Sequence, residues 1–101
     1  MAETFSRYDT AEFLRTEEDT RLYLDACLED GDYTLVVHAL GVIARARGMS
    51  QLARDTGISR EGLYRALSAE GNPEFATVMK VIKALGMKLQ TALYEELQAT
   101  G

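Results

Sequence analysis

The chain has 101 residues, 47% of them hydrophobic, and a net charge of −5 at pH 7. This length and hydrophobic content allow one domain with one modest core and exclude two domains. The single cysteine excludes an internal disulfide framework. No apolar run approaches the ~18 residues that a membrane span needs, and residues 1–15 carry charges throughout, so we expect a cytoplasmic protein without a signal peptide.

Two helices are predicted in the acidic N-terminal part of the chain. The first spans Thr10–Leu14 and follows a capping-box pattern, in which Asp9 stands three residues before Glu12. Thr16 is the expected N-cap of the second helix, because acidic residues fill the first turn and suit the helix dipole. A glycine, Gly31, is expected to end this helix. Its apolar stripe at helical spacing consists of Leu24, Cys27 and Leu28.

A central helix is predicted over residues 33–47. This segment is apolar on nearly every side when it is drawn as a helix, which is typical of a buried, central helix. Arg45 and Arg47 suit the dipole of its last turn, and Gly48 is expected to end it. Gly41 lies inside the helix, where glycine costs about 1 kcal/mol relative to alanine, so it predicts close packing against a neighbour.

Two short helices follow. Ser50 is predicted to cap a helix over residues 51–56, and Gly57 supplies the turn after it. Ser59 is predicted to cap the next helix, over residues 60–68.

A last helix is predicted to begin at Pro73 with Asn72 as its N-cap, and Gly86 is expected to end it. The tail beyond it is ambiguous, because its apolar residues alternate as in a strand at first and then recur at helical spacing. A helix is favoured for the second half of the tail. The predicted buried face of the last helix consists of Phe75, Val78, Met79, Ile82 and Leu85.

We therefore predict an all-α fold of about six helices in a single domain, residues 1–101. It divides into acidic N-terminal helices at residues 9–31, a core at residues 33–86 and a C-terminal tail at residues 87–101. The first 32 residues contain ten acidic and three basic residues, whereas the remainder contains six acidic and eight basic ones. This asymmetry predicts two faces with different partners, unless the acidic part is only a solvated surface.

Residues 50–71 match the requirements of a helix-turn-helix. Such a motif needs a small residue where its helices cross, here Ala53, and a residue that tolerates positive φ at the turn, here Gly57. Ile58 is then expected to plug the core, and Ser59 to open the second helix. The combination favours a helix-turn-helix over a plain helical hairpin. The residues expected to anchor the two helices are Leu52, Leu63 and Leu67.

The outward-facing residues of this motif point to DNA. The N-terminal residues of the second helix contact base edges in this docking mode, so Arg60 and Glu61 are expected to read guanine and cytosine. Gly62 either allows a close approach to DNA or leaves a base step unread. One domain neutralises few phosphates, so a homodimer on two half-sites about 34 Å apart is expected. Phosphate contacts are expected from Gln51, Tyr64 and Arg65.

The motifs "IARARGMSQLA", "TGISREGLYRAL" and "GNPEFATV" closely resemble the addiction-module antidote proteins, small antitoxins with a Cro/repressor-like helix-turn-helix. The resemblance covers roughly residues 9–90. It implies repression of an operon by a dimer and a paired toxin of the RelE/ParE type, usually an mRNA-cleaving ribonuclease. Charge complementarity with a basic toxin points to the acidic region Glu17–Asp32 as its contact. The DNA-contacting role that the resemblance implies falls on Gln51, Ser59, Arg60, Glu61, Tyr64 and Arg65.

Two other functions remain open at this point. The first is a stand-alone repressor without a toxin, which the neighbouring reading frame would distinguish. The second is a pure protein-interaction module, against which Arg60 and Arg65 on the outward face argue. An enzyme, a metal site or a cofactor is not expected, because His38 lies in the most apolar helix and Cys27 has no base partner in its own helix and no second ligand.

Overall fold

Five α-helices and no β-strand are present in residues 16–94, the part of the chain that the computed structural model describes. The all-helical fold class is thereby confirmed. The predicted helix Thr10–Leu14 and residues 95–101 of the tail lie outside the described residues. No helix within the described segment is long and apolar enough to cross a membrane. The helices are α1 (Glu17–Asp30), α2 (Tyr33–Arg47), α3 (Met49–Thr56), α4 (Arg60–Ala66) and α5 (Phe75–Ala84).

Helix α1 begins and ends where the sequence predicts. The hydroxyl of Thr16 accepts a hydrogen bond of 3.0 Å from the backbone N–H of Asp19, and Gly31 ends the helix with a φ of 82°. Leu24 and Cys27 are buried, and burial raises the pKa of the Cys27 thiol. Leu28 is 40% exposed, so only two of the three residues of the predicted stripe belong to the core.

Helix α2 forms the centre of the fold, with α1 and α3 packed against it. Its first residues, among them Tyr33 and Leu35, and its last turn, residues 45–47, are exposed, so the prediction of a helix buried on nearly every side holds only for its middle part. The hydroxyl and the backbone N–H of Thr34 both donate to Asp32, which caps the helix. These hydrogen bonds lower the pKa of the Asp32 carboxyl. The buried residues of α2 are Val37, Ala39, Leu40, Gly41, Val42, Ile43 and Ala44.

Gly41 lies at the closest approach between α2 and the end of α4. A Cβ atom at this position would lie 2.8 Å from the backbone carbonyl oxygen of Leu67. Real Cβ atoms essentially never approach another heavy atom this closely, and a backbone carbonyl cannot turn aside as a side chain does. The prediction that Gly41 marks close helix packing is therefore confirmed.

The start of α3 differs from the prediction. Ser50 does not cap this helix, which begins one residue earlier at Met49 and has Gly48 at its N-cap without a side-chain hydrogen bond. Gly48 alone separates α2 from α3, and its φ of 118° is one that other residues rarely adopt. Because the whole turn is made at this glycine, Met49 already lies in the helix and is buried.

The start of α5 also differs from the prediction. The helix begins at Phe75, and Glu74 at its N-cap is extended, with ψ 152° and no side-chain cap bond. Asn72 and Pro73 therefore lie in the connecting loop and are neither the N-cap nor the first helical residue. A proline fixes φ near −65°, which extended backbone accepts as readily as the first turn of a helix, so it marks a possible start only. The loop approaches α4 tightly, because a Cβ at Gly71 would overlap the backbone carbonyl of Ala66.

Helix α5 contacts the core through its C-terminal half. Val81, Ile82 and Leu85 are buried, whereas Phe75 and Met79 of the predicted buried face are 69% and 40% exposed. The predicted helical period is correct, but the buried face is rotated about the helix axis relative to the prediction. The reason is that the residues that meet α3 determine which face is buried. The tail from residue 87 to residue 94 is neither helix nor strand, although its first apolar residues still pack on the core.

The packing of α2 predicts the effect of adding one methyl group at Gly41. We expect Gly41→Ala to lower the free energy of unfolding by about 1–3 kcal/mol, because the contact with the Leu67 carbonyl outweighs the gain in helix propensity. Urea unfolding followed by circular dichroism measures it. The matched control is Ala46→Gly on the exposed side of the same helix, which should cost about 1 kcal/mol through propensity alone. Equal or greater stability of Gly41→Ala would contradict the close packing.

Candidate functional site

The hairpin formed by α3 and α4 is held together by a three-residue turn. Gly57 adopts a φ of 78°, and its backbone N–H donates to the Ala53 carbonyl at 2.9 Å. The Thr56 hydroxyl donates to the Leu52 carbonyl at 2.8 Å and accepts from the Ile58 N–H at 3.2 Å. Sequence reasoning identified Gly57 but missed Thr56, whose side chain links the end of α3 to the turn.

The inner side of the hairpin matches the prediction at each anchoring position. Ala53, at the predicted crossing, and Ile58, after the turn, are half-buried and pack against the core. The inner side of the hairpin is therefore anchored in the core, and its other side faces outward. The three anchoring leucines are almost completely buried: Leu52 (1% exposed), Leu63 (0%) and Leu67 (3%).

Ser59 caps α4 as predicted, and this explains the glycine in the first turn. The Ser59 hydroxyl accepts a hydrogen bond of 3.0 Å from the backbone N–H of Gly62. A Cβ at Gly62 would lie 3.1 Å from this same hydroxyl and 3.2 Å from the side chain of Ile58. Gly62 thus lets the cap and the core-plugging isoleucine lie close together. A side chain here would require these neighbours to shift by a few tenths of an ångström.

The outward side of α4 places charge and an aromatic ring together. Arg60, Glu61, Tyr64 and Arg65 are all exposed, so the structure brings these four predicted residues onto one short helix. The Arg60 guanidinium carbon lies 6.0 Å from the centroid of the Tyr64 ring, within the range of a cation–π contact. Such a contact holds the arginine near the ring while leaving its N–H groups available.

The outward side of α3 contains a chain of hydrogen bonds that the sequence did not reveal. Arg54 donates to the side-chain oxygen of Gln51 at 2.7 Å, and the Gln51 side-chain nitrogen donates to Asp55 at 2.9 Å. The amide of Gln51 is therefore oriented by a cation on one side and an anion on the other. Gln51 keeps one N–H for another partner, and Asp55 places a negative charge beside it.

The described residues thus define a small all-helical protein that presents a helical hairpin with a charged outer side. The chain belongs to the family described as "Probable addiction module antidote protein", whose model matches residues 4–93. It is 58% identical over 90 residues to a protein of Haemophilus influenzae that is described as uncharacterized. The matched region covers 89% of this chain and 93% of that protein. No solved structure was found to match.

Family membership confirms the resemblance drawn from the sequence motifs and supports an antitoxin role. In general terms, an antidote protein has a toxin as its partner.

The cap of α4 predicts different effects for two serines in the hairpin. We expect Ser59→Ala to lower the free energy of unfolding by about 1 kcal/mol, because the Gly62 N–H loses its acceptor. Ser50→Ala is the matched control and should change stability by at most a few tenths of a kcal/mol, since Ser50 is exposed and caps nothing. Urea unfolding of both variants measures the difference. Equal effects of the two substitutions would contradict the assignment of Ser59 as the cap.

Proposed function

We propose that this protein is the antitoxin of a type II toxin–antitoxin module, which neutralises a toxin protein and represses its own operon by sequence-specific DNA binding. Membership of the antidote family supports the antitoxin part. The observation that carries the DNA-binding part is the α3–α4 hairpin, which is anchored by buried leucines and exposes Arg60, Glu61, Tyr64 and Arg65 on its second helix.

We propose that this hairpin is a helix-turn-helix of the Cro/lambda-repressor type. In this docking mode the second helix enters the major groove and its N-terminal residues meet the base edges. Helix α4 fits the requirement, because it is short, capped at Ser59 and exposed at its first residues. The single turn through Gly57 fixes the angle between the two helices.

The roles of individual residues follow from their chemistry and position. Arg60 can donate two hydrogen bonds to a guanine edge, and Glu61 can accept one from cytosine. The Tyr64 ring beneath Arg60 restricts that arginine before DNA arrives, which lowers the entropy cost of the contact. Gly62 has no side chain with which to read a base edge, and it packs beside the cap. Phosphate contacts are assigned to Gln51, Ser59, Tyr64 and Arg65.

A homodimer completes this proposal. One hairpin offers few cations to the phosphate backbone, and Asp55 and Glu61 oppose them. Two copies on half-sites about 34 Å apart double the number of phosphate contacts and match a palindromic operator.

For the toxin we propose a small basic protein of the RelE/ParE type and a contact with the acidic region Glu17–Asp32. Helix α1 contains six acidic residues and one basic residue, Arg21. The guanidinium of Arg21 lies 2.7 Å from the Glu18 carboxylate and is thus already paired within α1. The helix therefore presents a strongly negative surface, which favours fast association with a basic partner.

A stand-alone repressor without a toxin is the second candidate. It shares the hairpin but gives no function to the acidic surface of α1. A neighbouring reading frame that encodes no small basic protein would favour it.

The positions of the arginines on the hairpin predict which of them contribute to the affinity for DNA. We expect the double variant Arg60→Ala/Arg65→Ala to lose at least about tenfold in affinity for its own promoter, since base and phosphate contacts disappear together. Fluorescence anisotropy with a labelled promoter duplex at fixed salt measures it, and circular dichroism checks folding. The matched control is Lys80→Ala/Lys83→Ala, which removes the same charge from exposed positions on α5. Equal loss in both double variants would show a general charge effect and contradict the assignment of α4.

The acidic surface predicts the salt dependence of toxin binding. We expect Asp25→Lys on α1 to lower the association rate with the protein encoded beside this gene several-fold at low salt, and much less at high salt. Stopped-flow fluorescence or surface plasmon resonance measures the rate. Glu70→Lys, an exposed change of the same charge outside α1, is the control. The same rate for Asp25→Lys and the unchanged protein would place the toxin elsewhere.

A further inference from the structure

A groove of about 440 Å³ lies where α1, α2 and α5 meet. Its walls come from the second half of α1, the part of α2 up to Leu40, the loop before α5, α5 itself and Leu89 of the tail. No residue of α3 or α4 lines it, so it is formed by other elements than the proposed DNA-binding hairpin. The exposed and half-buried residues of its lining include Leu28, Tyr33, Val36, Pro73, Phe75 and Val78.

Two aromatic side chains at this groove are unusually exposed. Tyr33 is 66% and Phe75 is 69% exposed, and Leu28 in the same lining is 40% exposed. Phenylalanine and tyrosine contribute large apolar areas when they are buried, so their exposure around one apolar depression is typical of a partner site. The sequence pattern of α5 had placed Phe75 in the core, and the core does not use it.

The chain segments beside the two aromatic residues, here called the rim of the groove, are acidic, whereas Lys88 lies next to the lining residue Leu89 in the tail. The two segments that flank its aromatic residues, 28–33 and 72–75, contain no lysine or arginine. Hydrogen bonds from Thr34 lower the pKa of the Asp32 carboxyl and so favour its charged form. The Glu74 carboxylate makes no cap bond and is exposed. The acidic residues in the two segments are Glu29, Asp30, Asp32 and Glu74, and all four are exposed.

The negative charge of the rim distinguishes between the possible occupants of the groove. A second copy of the chain would bring an identical acidic rim against this one, and like charges across an interface oppose binding. Residues 1–15 of the same chain contain three acidic and two basic residues, so they offer no net positive charge either. A basic partner with apolar side chains between its lysines or arginines satisfies both the groove and the rim.

We propose that this groove is the docking site for an apolar segment of the basic toxin, anchored by Tyr33 and Phe75 and flanked by contacts with the acidic rim. The proposal rests on the antitoxin function proposed above and assigns the toxin's anchoring contact to specific residues. Because no residue of the hairpin lines the groove, the proposed toxin contact and the proposed DNA contact use different residues.

The test uses the full-length protein and the purified protein encoded beside its gene, with the dissociation constant measured by isothermal titration calorimetry. We expect Phe75→Ser and Tyr33→Ser each to weaken binding at least about tenfold, as is typical of a central aromatic anchor. Met79→Ser is the matched control, since Met79 is exposed one turn further along α5 and does not line the groove. Glu74→Lys should weaken binding more than Glu70→Lys, and the difference should shrink at high salt.

Each remaining outcome contradicts the proposal in a recognisable way. If the unchanged protein does not bind the co-encoded protein, the antitoxin function itself is wrong. If it binds and Phe75→Ser binds equally well, the antitoxin function stands and the groove is not the site. If Phe75→Ser leaves binding unchanged and lowers the melting temperature by several degrees, the chain's own residues cover the groove. If it instead converts a dimer to a monomer in sedimentation, the occupant is a second copy.

Discussion

The close approach of α2 to the end of α4 is the constraint on which the rest of this structure depends. Gly41 has no side chain, so the Leu67 carbonyl can lie where a methyl group would otherwise be. That approach brings Leu63 and Leu67 into the core. With these leucines buried, the opposite side of α4 has to face outward, and this side contains the arginines of the proposed DNA contact. The packing of the core therefore determines which side of α4 faces outward.

The molecule separates its two proposed partners by charge and by element. Helices α3 and α4 present arginines, whereas α1 and the loops beside the apolar groove present carboxylates. A uniformly distributed charge of −5 would weaken both contacts, because it would repel phosphates and dilute the attraction for a basic protein. The two proposed contacts therefore use separate surfaces of the protein.

Much of the fold could be predicted from local sequence, and the failures have a common cause. Thr16, Ser59 and Gly57 were identified because a cap or a left-handed turn depends on one or two neighbouring residues. Ser50 and Phe75 were assigned wrongly because their roles depend on distant elements. Met49 is buried as the first residue of α3, so Ser50 lies inside that helix. Phe75 lies beyond the part of α5 that meets the core.

The sequence by itself determined the helical fold class, the cap of α4 and the turn of the hairpin, the set of outward residues on α4 and the antidote family, because these follow from short-range chemistry and from motifs. Only the tertiary structure decided that Gly41 meets the Leu67 carbonyl and that Tyr33 and Phe75 share an apolar groove. These features join residues that are close in space through packing. Tyr33 and Phe75 are 42 positions apart in the chain, and periodicity within a single helix carries no information about which other helix it will meet.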